Sequence, residues 1–167
     1  MSYALRPALP ADYDDLAILF RASIEELAAD AYSDEQRALW GGKAEDVKAW
    51  GKHLSGCLVL VAEEDGEPVG FAAMRDNSII ENVHVHPDVA FMGAGRQLLD
   101  ALERLAMARG ATKLAAAATD NALPFFERLG FVAVRRSTIS LGEEWLPSMV
   151  MEKALAPETA EPEEASP

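Results

Sequence analysis

The spacing of apolar residues predicts a helical N-terminal part that follows one short strand. The predicted elements are a strand at residues 3–7 and helices at residues 10–27, 33–40 and 44–55. Ser33 with Gln36 has the pattern of a capping box, which is typical of a helix start. This part of the chain therefore predicts a small group of helices with one apolar side each.

After residue 56 the apolar period changes and predicts strands, followed by an alternation of helices and strands. The predicted strands are residues 57–64, 68–75, 79–86, 113–118, 131–141 and 149–155, and the predicted helices are residues 93–109 and 120–130. Hairpin-linked strands lie antiparallel, and strands joined through a helix lie parallel. The sequence therefore predicts an α/β (α+β) fold with a mixed, largely antiparallel central sheet of six to seven strands and helices on both faces.

Composition describes one globular domain with an acidic tail. The chain has 167 residues, of which 50% are hydrophobic and 26% are charged, and this excludes collagen-like and wholly disordered proteins. We expect residues 1–155 to form the single domain and residues 156–167, rich in Glu and Pro, to be disordered. Without a membrane-length apolar run or a leader pattern, and with Cys57 unable to pair internally, the predicted location is the cytoplasm.

The charge balance narrows the choice of partners. Fifteen basic residues stand against 28 acidic ones, for a formal net charge of −13. Phosphate backbones and anionic membranes would repel such a chain, so neither nucleic acid nor a membrane is an expected partner. Cationic ligands such as amines are favoured, and the alternative is that the acidity serves solubility alone.

A glycine-rich turn between a strand and a helix is the clearest local signal of chemistry. The segment 93–95 reads Gly-Ala-Gly and opens the helix, so unpaired amides and the helix dipole would attract a pyrophosphate, with Arg96 beside them. Leu98 stands where a Rossmann fingerprint has its third glycine, which disfavours a dinucleotide-dependent oxidoreductase. Gln97 stands where a P-loop has Ser or Thr. A glycine pair that merely ends a loop remains the alternative reading.

Three segments together resemble a known family. They are Val83-His84-Val85-His86-Pro87, the glycine turn, and Phe125-Phe126-Glu127-Arg128-Leu129-Gly130-Phe131. In this order and spacing they resemble the GCN5-related N-acetyltransferases, over roughly residues 3 to 155. The segment 32–36 with Trp40, and Phe-Phe in place of Phe-Tyr, resembles a bacterial subgroup called YafP-like acetyltransferases.

The resemblance implies an acyl-CoA N-acyltransferase fold that holds acetyl-CoA as co-substrate. Acetyl-CoA would lie in a V-shaped split between the strands at 79–86 and 113–118, with pantetheine on the backbone of the first strand and pyrophosphate on the glycine turn. The residues that the resemblance assigns to the cofactor are Val83, His84, Val85, Met92, Gly93, Ala94, Gly95, Arg96, Thr119 and Phe126.

The implied chemistry is direct attack of a primary amine on the thioester in a ternary complex. A backbone N–H near His84 or Val85 would hold the developing oxyanion. Glu81 is the candidate base or water-holding residue, and simple alternation predicts that it shares one side with Val83 and Val85. Apolar neighbours there would raise the pKa of the carboxyl, whereas a solvated or ion-paired carboxylate is the alternative.

Departures from the family pattern keep a second function open. Ala90 replaces the usual Arg or Gln, and Thr119 replaces the usual Asn. Phe126 replaces the usual general-acid tyrosine, so water or Tyr32 would have to protonate the thiolate. The alternative function is a catalytically weak sensor or interaction module that binds acyl-CoA.

The acceptor side is less defined. Tyr32 and Trp40 are the candidates for an amine pocket because aromatic faces attract cations, and core packing is their alternative role. His84 and His86 have a chelating spacing without an evident third ligand, so no metal is expected. The expected acceptor is an unidentified primary amine, small and cationic by preference; a peptide amine stays open, as does a homodimer.

Overall fold

A computed structural model describes residues 2–156 as one mixed sheet with helices on both faces. The helices are α1 (Tyr13–Leu27), α2 (Asp34–Gly41), α3 (Val47–Leu54), α4 (Ala94–Ala108) and α5 (Leu123–Arg128). The strands are β1 (Ala4–Pro7), β2 (Leu58–Glu64), β3 (Glu67–Arg75), β4 (Ile79–Val85), β5 (Lys113–Thr119), β6 (Val132–Leu141) and β7 (Glu144–Ala154). The predicted order of elements and the predicted fold class are confirmed.

The sheet has seven strands in the order β1-β2-β3-β4-β5-β7-β6. Neighbouring strands are antiparallel, except that β4 and β5 are parallel because α4 connects them. The connection through α4 therefore brings β4 and β5 side by side at the centre of the sheet.

Ser33 and Gln36 form the predicted capping box at the start of α2, with bonds of 3.1 and 2.9 Å.

Two apolar cores lie on opposite faces of this sheet, as alternation along the strands requires. On β3, Ala72 and Met74 pack against α4, whereas Phe71 and Ala73 pack against α1 and α3. A smaller cluster around Leu146 joins α2 to the beginning of β7. The helices α1–α3 and the helices α4–α5 therefore cover different faces of the same strands.

The last strand is longer than predicted. The pattern predicts a strand only from residue 149, but β7 begins at Glu144 and includes Pro147. Pairing between β5 and β7 ends with Thr119 opposite Ser148, so at Pro147 the strand has a neighbour on one side only. A proline is tolerated there because one side needs no donated N–H bond.

Two further predictions concern the acidic C-terminal tail and membrane-spanning segments. The acidic tail predicted for residues 156–167 lies outside the described residues, apart from its first position. No helix within residues 2–156 combines the length and the apolar character that a membrane span needs.

Candidate active site

The parallel strands β4 and β5 separate soon after they meet, and this opens the sheet. Their last pair is Ile80 with Ala116, although β4 continues along β3 to Val85 and β5 continues along β7 to Thr119. Backbone groups of residues 81–85 that point away from β3 therefore lack a neighbouring strand. The split predicted between these two strands is present.

A cleft of about 1020 Å³ occupies this gap and reaches both faces of the sheet. Its α1–α3 half is lined by Phe20, Trp40 and Trp50, and its α4–α5 half is lined by Gly95, Phe125 and Phe126. A cleft of this size accommodates a small-molecule ligand. Because the two halves open on different faces, two ligands can meet in the gap.

The glycine turn forms one end of the α4–α5 half. Gly93 caps α4 with a φ of 97°, a left-handed conformation that favours glycine, and no acidic side chain lies in the first helical turn. A Cβ on Gly95 would lie 3.1 Å from the ring of Phe125, so glycine lets α4 pack closely on α5. The first amides of the helix have no acceptor within it. They lie at the positive end of the helix dipole, which attracts anions.

Met92 and Arg96, which flank the glycine turn, differ in their relation to the cleft. The N–H of Met92 donates to the Val89 carbonyl at 3.2 Å, and Met92 does not line the cleft, so its predicted amide contact is not supported. Arg96 does line the cleft, with its guanidinium largely exposed and 4.0 Å from Asp100. The candidate anion site therefore consists of Gly93, Ala94 and Gly95, with Arg96 at its edge.

His84 turns its side chain toward the α1–α3 face. Its ring lies 4.7 Å from Phe20 and 6.0 Å from Trp40 between centroids, and Nδ1 lies 3.3 Å from the Ser23 hydroxyl. Burial lowers the pKa of His84 to about 3, so the imidazole is neutral at physiological pH. The neighbouring Val83 packs on the α4 side, so successive side chains of this segment lie on opposite faces of the sheet.

A bulge changes the side of the sheet on which Glu81 lies. Met74 pairs with Ile80 and Ala73 pairs with Asn82, which leaves Glu81 as the additional residue on β4. Alternation restarts after a bulge, so the carboxylate lies on the face opposite to the two valines that follow it. The predicted placement beside those valines is wrong because simple alternation does not account for the inserted residue.

The carboxylate of Glu81 lines the cleft and is held on both oxygens. His53 Nε2 lies 2.7 Å from Oε1, and Arg75 Nε donates to Oε2. Burial raises the pKa of Glu81, but the hydrogen bonds from Arg75 and His53 outweigh it, and the net pKa is lowered. The predicted raised pKa is therefore wrong, and the carboxylate is ionised at neutral pH.

Cys57 lies close to this pair. Potential metal-ligating atoms of His53, Cys57 and Glu81 lie within 4.8 Å of one another. Burial, followed by the charge of Glu81, raises the pKa of the Cys57 thiol, which keeps it protonated. A protonated thiol and the guanidinium of Arg75 both oppose the binding of a cation, so the cluster is better described as an ion-paired carboxylate.

Thr119 and Phe126, which the resemblance assigns to the cofactor, line the cleft on the β5 and α5 side. The Thr119 hydroxyl donates to Asn121 Oδ1 at 2.8 Å. The ring of Phe126 packs at 5.1 Å from Phe131 and at 5.3 Å from Phe125, and it offers no proton. At this end of the gap a hydrogen-bonded hydroxyl therefore lies beside an aromatic surface.

The two aromatic candidates for the acceptor pocket differ. Trp40 lines the cleft and is half-buried. Tyr32 does not line it: its hydroxyl donates to the Pro147 carbonyl at 2.6 Å and accepts from the Asp120 N–H at 2.7 Å. Burial raises the pKa of Tyr32. The predicted pocket role of Tyr32 gives way to a structural one, in which the α1–α2 connection is joined to β7 and to the residue after β5.

Several cleft residues were missed by the sequence reasoning. Phe20, Trp50 and His53 line the cleft, but they lie on apolar helix faces or in helical stretches that read as core or surface. Ser23 is a polar residue within the buried face of α1, and this was a usable signal. Phe91 lines the cleft with a φ of 65° and 91% exposure, and its place just before the glycine turn was another.

The geometry is accompanied by a family match. The acetyltransferase (GNAT) domain family matches residues 28–155. The chain belongs to the GNAT acetyltransferase family. The resemblance predicted from the sequence is thereby confirmed, and the protein is an acyltransferase.

Two curated relatives agree with this family. The chain is 28% identical over 147 residues to the uncharacterized N-acetyltransferase YafP of Escherichia coli (strain K12), covering 88% of this chain and 93% of YafP. It is 27% identical over 134 residues to the peptidyl-lysine N-acetyltransferase YjaB of Salmonella typhimurium (strain LT2), covering 80% of this chain and 76% of YjaB.

Solved structures share the fold over nearly the whole chain. A GCN5-related N-acetyltransferase from Rhodopseudomonas palustris is 46% identical, with a TM-score of 0.91 and coverage of 93% of this chain and 97% of that one. The PaiA N-acetyltransferase from Thermoplasma acidophilum, solved in complex with coenzyme A, is 20% identical with a TM-score of 0.72, covering 93% and 100%. The second likeness concerns the fold alone.

Proposed function

We propose that this GNAT protein moves an acetyl group from acetyl-CoA to the primary amine of a small cationic acceptor, by direct attack in a ternary complex. The observation that carries the proposal is the gap between β4 and β5, with an anion-attracting helix end in one half of the cleft and aromatic rings in the other. The coenzyme and the acceptor would enter from opposite faces. The net charge of −13 favours a cationic acceptor.

The cofactor contacts in this proposal are mostly backbone contacts. The pyrophosphate binds the amides of Gly93, Ala94 and Gly95, with Arg96 adding a charge-assisted bond. Pantetheine extends along the unpaired edge of residues 83–85, as an added strand would. A coenzyme A site is supported by the PaiA N-acetyltransferase, which shares the fold and was solved in complex with coenzyme A.

In the proposed chemistry a neutral amine attacks the thioester carbonyl, and the thiolate of coenzyme A leaves. A backbone N–H near His84 or Val85 stabilises the oxyanion, since a fixed donor at that point needs no rearrangement. Glu81 accepts the ammonium proton directly or through a water. His53, 2.7 Å away and mostly exposed, then offers the proton a route to solvent.

The leaving thiolate has no tyrosine to protonate it in this proposal. Phe126 occupies the expected position, and the hydroxyl of Tyr32 is engaged on both sides. A thiolate is a tolerable leaving group, so a water molecule in the gap is sufficient to protonate it after it leaves. The absence of a placed acid therefore slows the reaction rather than preventing it.

The alternative function, an acyl-CoA-binding sensor of weak activity, is favoured by the residues at positions 90 and 126. Ala90 lines the cleft and removes one usual pyrophosphate contact, and Phe126 removes the usual acid. A sensor would bind acetyl-CoA without turnover. Cytoplasmic location and a homodimer stay predictions for either function.

The experiment is an acceptor screen that follows thiol release from acetyl-CoA with the purified protein. Turnover above the amine-free background with any amine supports the transferase, and binding of acetyl-CoA without turnover supports the sensor. A thermal-shift comparison of coenzyme A with NAD accompanies it, because a ligand that binds only the folded state raises its stability. Stabilisation by NAD instead of coenzyme A would overturn both functions.

A further inference from the structure

The wall of the α1–α3 half of the cleft is mostly apolar. Its apolar lining residues are Phe20, Ile24, Leu27, Trp40, Trp50 and Ile139. Phe20 lies 5.3 Å from Trp50 between ring centroids, so the rings form a continuous surface. Such a surface binds an apolar or aromatic body, and an aromatic face also attracts a cation.

Charge is distributed differently in this cleft than over the chain as a whole. Among the described residues that line it, Glu81 is the single carboxylate, and both of its oxygens already face His53 or Arg75. Lys43 on the connection between α2 and α3 also lines the cleft and adds positive charge. The acidic excess of the chain therefore lies outside the cleft and does not provide sites for several ammonium groups.

We infer that the acceptor is a monoamine whose amine is attached to a compact apolar body, and not a polyamine. This inference rests on the proposed transferase function and names its substrate class. One ammonium can lose its proton to Glu81, and the apolar body then packs against the aromatic wall. A second ammonium would lose its hydration in this half without a free carboxylate to replace it.

The first test compares two acceptors of equal size. n-Hexylamine and 1,5-diaminopentane have the same number of non-hydrogen atoms and differ by a terminal methyl group in place of an ammonium. At one pH and with saturating acetyl-CoA, we expect kcat/KM to be at least about tenfold higher for n-hexylamine, because the second ammonium finds no partner. 2-Phenylethylamine should match or exceed n-hexylamine.

The second test uses variants of the wall. Trp40→Ala should lower kcat/KM for 2-phenylethylamine about tenfold or more, through loss of apolar contact, while the Kd of acetyl-CoA stays the same. Trp145→Ala is the matched control, since Trp145 is 56% exposed on β7 and does not line the cleft. Leu27→Glu adds a carboxylate at a partly exposed position of the wall and should move the preference toward 1,5-diaminopentane.

The outcomes separate this inference from the function on which it rests. A kcat/KM for 1,5-diaminopentane equal to or above that for n-hexylamine in the wild type would overturn the acceptor class and leave the transferase intact. Equal losses in Trp40→Ala and Trp145→Ala would also overturn it. If acetyl-CoA binds and no amine is acetylated, the transferase proposal itself fails, and the acceptor class falls with it.

Discussion

The two halves of the cleft are built in different ways. The α4–α5 half presents backbone: the first amides of α4, a glycine that lets two helices approach, and the unpaired edge of β4. The α1–α3 half presents side chains, with rings from α1, α2 and α3 around a buried, neutral His84. A backbone site can serve one constant ligand in many sequences, whereas a side-chain site changes with each substitution.

Under the proposed function, the two halves have different tasks. The half made of backbone suits a coenzyme shared by many relatives, and the half made of side chains suits an acceptor particular to this chain. Glu81 lies where the halves meet, because the bulge on β4 turns its side chain toward α3 while the following valines face α4. Substitutions on either side should therefore have separable effects.

The largest effect is expected at the junction. Glu81→Gln should lower kcat at neutral pH by about a hundredfold, the lower range for loss of a general base. Because the pKa of Glu81 is lowered, the wild-type carboxylate stays ionised, and kcat/KM should rise with pH as the amine loses its proton. The loss in Glu81→Gln should shrink at high pH, where the amine is already neutral.

A pH-rate profile with one amine checks this expectation, and Glu64→Gln, at an exposed glutamate of β2, is the control. An equal loss at every pH would argue against a base role and for a positioning role through His53 and Arg75.

The next effect separates the backbone half. Gly93→Glu should weaken acetyl-CoA binding about thirtyfold, about 2 kcal/mol, because a carboxylate enters the anion site and the left-handed conformation disfavours a side chain. Isothermal titration measures the Kd. Gly110→Glu is a matched control, since Gly110 has a φ of 92°, open space around its Cα and no place in the cleft lining. Equal weakening in both variants would contradict the location of the anion site.

A third effect, of similar size, concerns the stability of the side-chain half. The pKa of His84 is lowered from 6.5 to about 3, so between these values the unfolded chain binds a proton that the folded one does not. Stability should therefore fall as pH is lowered through this window. Urea unfolding at pH 7 and pH 5 should show a loss about 2 kcal/mol larger for the wild type than for His84→Phe. A matching loss in both proteins would mean that His84 protonates freely.

The smallest effect tests the structural role of Tyr32. Tyr32→Phe should lower the free energy of unfolding by about 1 kcal/mol through loss of its hydrogen bonds, with kcat unchanged. Tyr3→Phe is the control, because the buried Tyr3 hydroxyl has no hydrogen-bond partner within residues 2–156 and its removal should cost nothing. A marked fall in kcat for Tyr32→Phe would return Tyr32 to the list of acid candidates.

The order of strands and helices was readable because periodicity and turns are local properties. The change of period at residue 56, the capping box of Ser33 and Gln36, and the glycine turn each depend on neighbouring residues alone. The start of β7 was missed because Pro147 is compatible with a strand only where a neighbouring strand ends. That condition depends on residues far away in the sequence.

The site was readable where it consists of backbone and was unreadable where it depends on register. The bulge at Glu81 results from pairing with β3, and no residue of β4 indicates it in the sequence. The engaged hydroxyl of Tyr32 depends on the positions of Pro147 and Asp120, which come near only in the folded chain. Phe20 and Trp50 read as core because rings at helical spacing look alike whether they face a core or a cavity.

The brief pairing of β4 with β5 also bears on the order of events during turnover. A passage that opens on both faces of the sheet gives each reactant its own route to bulk solvent. Under the proposed function, spent coenzyme A leaves on one face while the acetylated product leaves on the other, and neither departure has to wait. Under that function, the early end of the β4–β5 ladder provides two separate exits.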